Sequence, residues 1–476
     1  MTEIVAAALA RAAEASGTWH TRSALSLVAT LRSSAVTPQE LASHFLDRIS
    51  QHNPILHAIV ATDPDAATSR GSDPALRTTL LAGLPIADKD LNRRAGKVTR
   101  SGSAIHSPEP ERDNDALTER LDLAGAISIG RTASAEYGMT GYTEPAETPA
   151  TRNPWQLHLG PGGSSGGAAA AVAAGLLPAA PASDGGGSVR IPAAATGLVG
   201  LKPSRGVLGD PARRTLDLSV PGPIARTVAD AALLYTAMVA PHSELEDSPW
   251  LAAALSSNEA PVAPLRIGVL WDSPWRHTVD VEPDAAIVRA VEQTAATLQS
   301  LGHRLESVSL ADDEDYAEVF TTMWADMAAG IPAPGNGEGL TDFVRWIWRR
   351  GRHQDPADVQ RAYARAAVFA ATQQRHLAQY DLVLSPTLAM TARPIGWFGA
   401  DPEEDFRRQC QFSPYTSWVN VAGLPAITVP VALSPDGLPI GVQLIGRLNE
   451  EALLFATAAQ LEAVYAEHVG TAPGWF

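Results

Sequence analysis

The chain has 476 residues, of which 45% are hydrophobic and 18% are charged, and its formal net charge is −16. This composition is typical of a globular protein with a large core and excludes an intrinsically disordered chain. An acidic balance without a basic cluster argues against a nucleic-acid-binding surface. The single cysteine, Cys410, excludes an intramolecular disulfide framework and favours the reducing cytoplasm. The sequence contains no run of about 18 apolar residues, so no membrane span is predicted.

Helices and strands are predicted to alternate from one end of the chain to the other. Residues 2–17 predict an amphipathic helix and not a signal peptide, because they have no basic start and no long apolar run. Thr37, Pro38 and Glu40 predict a capped helix that runs to about residue 51. Further helices are predicted at 115–123, 227–238, 283–301, 355–379 and 450–467.

Short apolar runs between these helices predict the strands, at 126–130, 265–270, 304–310, 382–384, 426–431 and 440–445. Residues 84–90, LPIADKD, form a further apolar segment that ends near Lys89. Residues 434–437 predict the turn between the last two strands, and residues 265–310 form a βαβ-like unit. The interleaving indicates the α/β class, and without a repeat or low-complexity linker we expect one domain over residues 1–476.

Two glycine-flanked serine sites lie between residues 160 and 203. Ser164 and Ser165 stand in GGSSGG, and Ser188 follows three glycines in DGGGSVR. Glycine allows positive φ and close approach, so such serines can present a hydroxyl and neighbouring N–H groups to a ligand. Glycine-serine composition is also typical of flexible linkers. The helix-forming AAAAVAAGLL that follows, and the second glycine-serine site, argue against a linker here.

Residues 162–166 also match G-x-S-x-G, the nucleophile elbow of α/β-hydrolases. That motif requires a strand directly before it, and residues 153–161 are predicted to be a loop. It also requires a downstream acid and histidine. The last hundred residues contain one histidine, His468, at the end of an ordinary helix. The elbow interpretation is therefore weakly supported.

Taken together, the motifs resemble the amidase signature family of Ser-cisSer-Lys hydrolases. The similarity covers about residues 25–205 and 380–465, and its motifs are LPIADKD, GGSSGG, DGGGSVR, IPA at 191–193, GLKP at 200–203, SPT at 385–387, GLPA at 423–426 and GLPIGVQL at 437–444. Residues 143–155 are similar to bacterial aryl acylamidases and nylon-oligomer (6-aminohexanoate cyclic dimer) hydrolases of that family. The resemblance implies a central mixed twisted β-sheet covered by helices on both faces. It implies a core of about 25–240 and 380–465 and a variable substrate-side segment at about 313–352.

The resemblance also implies the catalytic residues: Ser188 as the nucleophile, Ser164 as a bridging serine with a cis peptide bond from Gly163, and Lys89 as the terminal base. A lysine can act as a base only when neutral, so burial without a carboxylate partner must lower its pKa. Outside this pattern, a lysine after an apolar run is usually a solvated strand end, and a serine after glycines is usually part of a turn.

Supporting residues surround these three in the family pattern. The expected oxyanion hole consists of the backbone N–H groups of Gly185, Gly186, Gly187 and Ser188. The family usually has Thr or Ile at position 186 or 185. We expect Ser165 to be a hydrogen-bonding neighbour, and Asp184 and Arg190 to form an ion pair that braces the loop. The alternative for the latter two is a pair of separate surface charges.

The substrate side is predicted from the same resemblance. A loop of four residues is expected to offer backbone carbonyls to the acyl pocket: Tyr137, Gly138, Met139 and Thr140. Residues 315–352 match the family poorly and are rich in large apolar side chains: Phe320, Trp324, Met327, Phe343, Trp346 and Trp348. These form either ordinary core or a mobile aromatic wall of the pocket, with Trp324 as the residue to test.

The function implied is a cytoplasmic amidohydrolase without cofactor or metal, acting through a covalent acyl-enzyme on aryl acylamides and linear amide oligomers. Esters and carbamates, including urethanes, are expected side substrates. The partner is the amide substrate, with no nucleic acid or membrane, and a homodimer is left open. The alternative is the glutamine-hydrolysing subunit of a transamidation complex. We expect a free-standing enzyme, because the chain has no long C-terminal extension and residues 315–352 diverge. A catalytically inactive binding protein is disfavoured, since all three catalytic positions are filled.

Overall fold

The computed structural model describes residues 2–15, 17–208, 216–256, 262–469 and 471–476. The strands are β1 (Ile59–Thr62), β2 (Pro85–Lys89), β3 (Ile127–Thr132), β4 (Ala179–Asp184), β5 (Val199–Lys202), β6 (Val220–Ala225), β7 (Arg266–Leu270), β8 (Arg304–Val308), β9 (Leu382–Pro386), β10 (Ala426–Leu433) and β11 (Pro439–Gly446). The helices are α1 (Thr2–Ala13), α2 (Ala24–Arg32), α3 (Pro38–Leu56), α4 (Pro64–Gly71), α5 (Ala116–Leu123), α6 (Gly166–Ala173), α7 (Arg190–Thr196), α8 (Val228–Val239), α9 (Pro249–Ser256), α10 (Ala285–Ser300), α11 (Tyr316–Ala329), α12 (Asp342–Arg352), α13 (Pro356–Leu377), α14 (Pro402–Phe412), α15 (Ser417–Ala422) and α16 (Glu451–Val469).

Helix starts follow the capping residues of the sequence. Thr37 and Glu40 form the reciprocal capping box at the start of α3, and the side chains of Asp115 and Thr227 accept backbone N–H groups at the starts of α5 and α8. The prediction that α3 stops near residue 51 was wrong by about one turn. The helix continues to Leu56 and stops at His57, whose φ of 54° is left-handed.

Within the described residues, the main sheet has eight strands in the order β4-β6-β5-β10-β11-β9-β7-β8. β7 pairs parallel with β8 and β9, whereas the other pairs are antiparallel, so the sheet is mixed. The predicted βαβ unit is β7-α10-β8, and the predicted turn at 434–437 joins β10 to β11. The α/β class is confirmed.

Both faces of the main sheet are covered. On β9, Val383 and Leu384 pack into different hydrophobic cores, and on β11 the same holds for Leu444 and Ile445. Successive strand residues point to opposite faces, so each face has its own core. We call the first the main core; it is built largely by α2, α3, α6, α8 and α16. The second, the aromatic core, is built largely by α11, α12 and α13.

A second, three-stranded sheet was not anticipated from the sequence. Its order is β1-β3-β2, with β2 and β3 parallel. β1 has four residues, too few for a clear alternating pattern. Strand β2 of this sheet is fully buried and carries Lys89, the predicted base, at its last position. In the described part of the chain, every helix is too short or too polar to cross a lipid bilayer.

Candidate active site

Lys89 and Ser164 meet in the interior of the protein. The Gly163–Ser164 peptide bond is cis, as the resemblance implies. Lys89 Nζ lies 2.8 Å from Ser164 Oγ, to which it donates a hydrogen bond. Both residues are buried, with exposed fractions of 0% and 1%. Because β2 and the loop before α6 carry the two residues, the contact joins positions 75 apart in sequence.

Burial lowers the pKa of the Lys89 ammonium from its usual 10.5 to about 7, and the charge of Asp184 opposes the shift only in part. Among the described residues, no carboxylate accepts a hydrogen bond from Lys89. Its other side-chain partner is Ser183, whose Oγ lies 3.1 Å from Nζ. At neutral pH a large fraction of Lys89 is therefore neutral, as a base requires.

Ser183 is a site residue that sequence reasoning missed. It lies in β4, one position before Asp184, and is the one hydroxyl residue in a strand of small residues, AAPASD. Ser165 Oγ donates to the backbone carbonyl of Ser183 at 3.4 Å. Ser165 was expected to be a hydrogen-bonding neighbour of the site, and Ser183 is its partner. The isolated hydroxyl in an apolar strand was the available signal.

Ser188 lies in the turn between β4 and α7 and is 7% exposed. Its Oγ has no hydrogen-bond partner among the described residues, so the structure joins Lys89 to Ser164 but does not hydrogen-bond Ser164 to Ser188. Gly187 has φ of 135°, and a Cβ there would lie 2.5 Å from Thr416 Oγ1. The turn that presents Ser188 thus requires glycine at position 187.

The four amides expected to form the oxyanion hole are not equivalent. The Gly187 N–H donates to Asp184 Oδ1 at 2.7 Å, so it is already used within the protein. Within the described structure, the N–H groups of Gly185, Gly186 and Ser188 have no acceptor. The set of available donors is therefore smaller than the sequence suggested, because the Asp184 carboxylate folds back onto the turn.

Asp184 and Arg190 form the expected ion pair, and it is completely buried. Arg190 Nη2 lies 2.9 Å from Asp184 Oδ1, and both side chains are 0% exposed. Burial alone would raise the pKa of Asp184, but the Arg190 guanidinium lowers that pKa to about 2. Asn420 and Gln443 accept further guanidinium hydrogen bonds, at 2.6 and 3.0 Å. The alternative of two separate surface charges was wrong.

A cavity opens to solvent beside Ser188. Of the residues predicted to bind substrate, Gly138, Met139, Thr140 and Trp324 line it. Tyr137 does not; its backbone is left-handed (φ 47°), and its side chain hydrogen-bonds to Ser103. The remaining lining comes from residues far apart in sequence: Gly141, Gly186, Ser188, Ile191, Trp275, Phe320, Phe343, Phe406, Gln409, Cys410, Ser413 and Ser417.

Residues 315–352 are both core and cavity wall. Phe320 and Trp324 belong to the aromatic core and stack with ring centroids 5.5 Å apart. The Trp324 ring lies 3.5 Å from where a Cβ on Gly185 would stand, so it fills space left by the glycine turn. Trp324 Nε1 donates to the Met139 carbonyl at 3.2 Å. These contacts anchor the wall to the turn and to the loop at 137–140.

Comparison with known proteins identifies the family of this chain. A family model described as Amidase matches residues 40–455. The chain belongs to the amidase family. This amidase is 33% identical over 470 residues to an acylamidase of Rhodococcus erythropolis, covering 94% of this chain and 96% of that protein. It is 31% identical to a glutamyl-tRNA(Gln) amidotransferase chain of Acidothermus cellulolyticus, over 94% of this chain and 95% of that protein.

Two solved structures have the same fold as this amidase. A 6-aminohexanoate cyclic dimer hydrolase in complex with substrate superposes with a TM-score of 0.85 at 27% identity, over 96% of this chain and all of that one. A bacterial aryl acylamidase superposes with a TM-score of 0.78 at 25% identity, over 93% and 96% of the two chains. The amidase signature fold and an amide-hydrolysing activity are thereby confirmed.

Proposed function

We propose that this amidase cleaves carboxamides through a covalent acyl-enzyme formed on Ser188. The observation that carries the proposal is the buried Lys89, 2.8 Å from Ser164 Oγ and with its pKa lowered by burial to about 7. Neutral Lys89 accepts a proton from Ser164 while Ser164 accepts the proton of Ser188, and Ser188 Oγ attacks the carbonyl carbon. The tetrahedral intermediate collapses as the proton returns through Ser164 to the leaving nitrogen. Water then gives a proton to the same relay and attacks the acyl carbon, the ester bond to Ser188 Oγ breaks, and the proton returns to that oxygen as the acid leaves.

The relay requires a hydrogen bond from Ser188 to Ser164 when substrate is bound. Catalytic hydrogen bonds are often long without substrate and tighten in the Michaelis complex. For the oxyanion we propose the N–H groups of Gly185, Gly186 and Ser188, which have no acceptor in the described structure. Ser183 is proposed as a positioning residue that holds the Lys89 amine beside Ser164.

For the substrate we propose neutral acyl groups, as in aryl acylamides and linear amide oligomers, with esters and urethanes as side substrates. The cavity beside Ser188 has five aromatic side chains and no charged one among its described lining residues: Trp275, Phe320, Trp324, Phe343 and Phe406 are the aromatic ones. The names of the acylamidase, aryl acylamidase and cyclic dimer hydrolase to which the chain is similar point to the same class.

The alternative is glutamine hydrolysis within a transamidation complex, which the amidotransferase relative supports. Free glutamine carries an ammonium and a carboxylate, and burying such charges without partners is costly. The uncharged cavity therefore favours the acylamidase. A glutaminase assay and gel filtration with and without cell lysate separate the two, since a member of a transamidation complex would release ammonia from glutamine and would elute with partners.

The decisive experiment measures 4-nitroaniline release from 4-nitroacetanilide and from a longer-chain anilide. We expect Ser188→Ala to lose activity by at least about 10³-fold, as removal of a catalytic nucleophile does. Ser300→Ala, at the exposed end of α10, is the matched control. Activity that survives in Ser188→Ala would overturn the assignment and transfer the nucleophile to Ser164.

We also propose that the protein acts in the cytoplasm, in accord with its single cysteine, which is free and buried. A homodimer stays a prediction, and analytical ultracentrifugation of the purified protein tests it.

A further inference from the structure

One polar side chain stands out in the apolar cavity beside Ser188. Gln409, on α14, lines this cavity. Its Oε1 accepts the Gly141 N–H at 2.8 Å, and its Nε2 donates to Asp405 Oδ1 at 2.8 Å. Asp405 is 2% exposed, and its other oxygen accepts the Tyr142 hydroxyl at 2.6 Å. Because a backbone N–H can only donate, the contact with Gly141 fixes which end of the Gln409 amide is the oxygen.

This arrangement leaves one N–H of Gln409 unused. A primary amide has two N–H donors, and Asp405 accepts one. In the described structure the other has no acceptor. The other cavity hydroxyls besides Ser188 are engaged: Thr140 donates to the Tyr142 carbonyl, Ser413 to the Gln409 carbonyl, and Ser417 binds Trp275 and Tyr316.

We propose that Gln409 is a specificity-determining residue that selects acyl groups carrying an uncharged hydrogen-bond acceptor, such as a second carbonyl. The inference rests on the proposed function, because it assumes that the acyl group occupies this cavity. An acceptor moved from water into an apolar cavity loses its hydrogen bonds, and the free N–H of Gln409 restores one. A carboxylate acceptor is disfavoured, because Asp405 lies directly behind Gln409 and no cation lines the described cavity.

The test uses 4-nitroanilides in matched pairs, each pair an oxo-acyl chain and the alkyl chain of equal length. The oxo group is placed at carbon 4, 5 or 6 in turn, in pentanoyl, hexanoyl and heptanoyl anilides. We expect the wild-type enzyme to prefer one oxo compound over its alkyl partner by about 3- to 10-fold in kcat/KM, the value of one net hydrogen bond. In Gln409→Met this ratio falls to about one. Gln411→Met, two residues along the same helix and outside the cavity lining, keeps the wild-type ratio.

A second variant keeps the test decisive if Gln409→Met does not fold. Gln409→Asn retains the amide but withdraws it by one methylene, so the preferred oxo position should move outward by one carbon. The inference is overturned if the wild-type enzyme prefers no oxo compound, or if the preference persists in Gln409→Met. Either result, with Ser188-dependent hydrolysis of the alkyl anilides intact, removes this inference alone. Full activity in Ser188→Ala would instead remove the proposed function.

Discussion

Lys89 is the residue whose chemistry depends most on its surroundings. In water its ammonium would be charged near neutral pH, and its described surroundings contain two serine hydroxyls but no carboxylate within hydrogen-bonding distance. A hydroxyl solvates a charge less well than water, so burial favours the neutral amine. The same burial that favours the neutral amine of Lys89 also costs folding free energy, which leads to two predictions.

The first prediction concerns activity. Only neutral Lys89 can accept the proton, so kcat/KM for 4-nitroacetanilide should rise with pH through the lowered pKa of Lys89, about 7, and level off above it. Initial rates from about pH 5 to about pH 9.5 at constant ionic strength measure the profile. If kcat/KM does not change between one pH unit below that pKa and one pH unit above it, the role of Lys89 as the base is contradicted.

The second prediction concerns stability. The folded pKa of Lys89 lies below its unfolded value, so the unfolded chain binds more protons between about pH 7 and pH 10.5, and stability rises with pH in that window. Below about pH 7 Lys89 is charged in both states, so the folded protein bears the full free-energy cost of burying that charge. Lys89→Met removes it, so the variant should gain on the order of a few kcal/mol at about pH 6, with the gain shrinking toward about pH 10.

Urea unfolding of both proteins across this pH range is the measurement. Lys97→Met, at a half-exposed lysine, serves as control and should show little pH-dependent difference. A Lys89→Met effect that is the same at both ends of the range would show that Lys89 does not have a lowered pKa in the folded protein.

At the scale of elements, the β4–turn–α7 unit carries Ser188, the proposed nucleophile. The Asp184 carboxylate at the end of β4 accepts N–H groups of Gly187 and Val189, and the guanidinium of Arg190 at the start of α7 pairs with it. The turn is thus wound around one buried carboxylate. This geometry explains why one of the four expected oxyanion amides is already occupied.

The third prediction follows from this unit. Arg190→Met leaves Asp184 buried without its cation, which should cost about 3–5 kcal/mol of unfolding free energy. The turn should also lose its shape, so anilide hydrolysis should fall even in the folded fraction. Urea unfolding and active-site titration with an acylating inhibitor measure both effects. Arg304→Met, at an exposed arginine of β8, is the control, and equal stability of the two variants would refute the prediction.

At the scale of the molecule, hydrogen bonds join segments that are distant in sequence. Arg48 on α3 donates to the carbonyls of Gly175 and Trp475, at 2.9 and 2.7 Å. Trp475 in turn donates its indole N–H to the carbonyl of Pro154, at 2.9 Å. Arg48 therefore joins α3 to the residues after the Ala-rich helix α6 and to Trp475, and Trp475 joins Arg48 to the loop before the Ser164 site, 321 sequence positions away.

The fourth prediction tests this connection. Trp475→Ala should lower the unfolding free energy by about 1–3 kcal/mol, because it removes a half-buried ring and leaves the Pro154 carbonyl without its donor. Hydrolysis per folded molecule should not change, since Trp475 is not among the cavity residues. Leu433→Ala, at an exposed leucine, should stay within about 0.5 kcal/mol of the wild type. A Trp475→Ala protein as stable as this control would contradict the argument.

The sequence by itself determined the features that depend on neighbouring residues. The capping groups of α3, α5 and α8, the β10–β11 turn and the α/β class follow from local hydrogen bonding and hydrophobic periodicity. The motifs also sufficed to name Lys89, Ser164 and Ser188 as one candidate site, and the structure places the first two in contact.

Only the tertiary structure decided what surrounds that site. Gln409, Trp275 and Phe320 reach the cavity from segments that lie more than 80 positions from Ser188, and no local pattern distinguishes them from ordinary core residues. Two hydrogen bonds likewise depend on how strands and turns meet: the one from Lys89 to Ser183, and the one by which the Gly187 N–H binds Asp184 and is no longer available to an oxyanion. Local propensities are set within a few residues, whereas a cavity is formed by packing between distant segments, so its shape and free donors appear only in the folded protein.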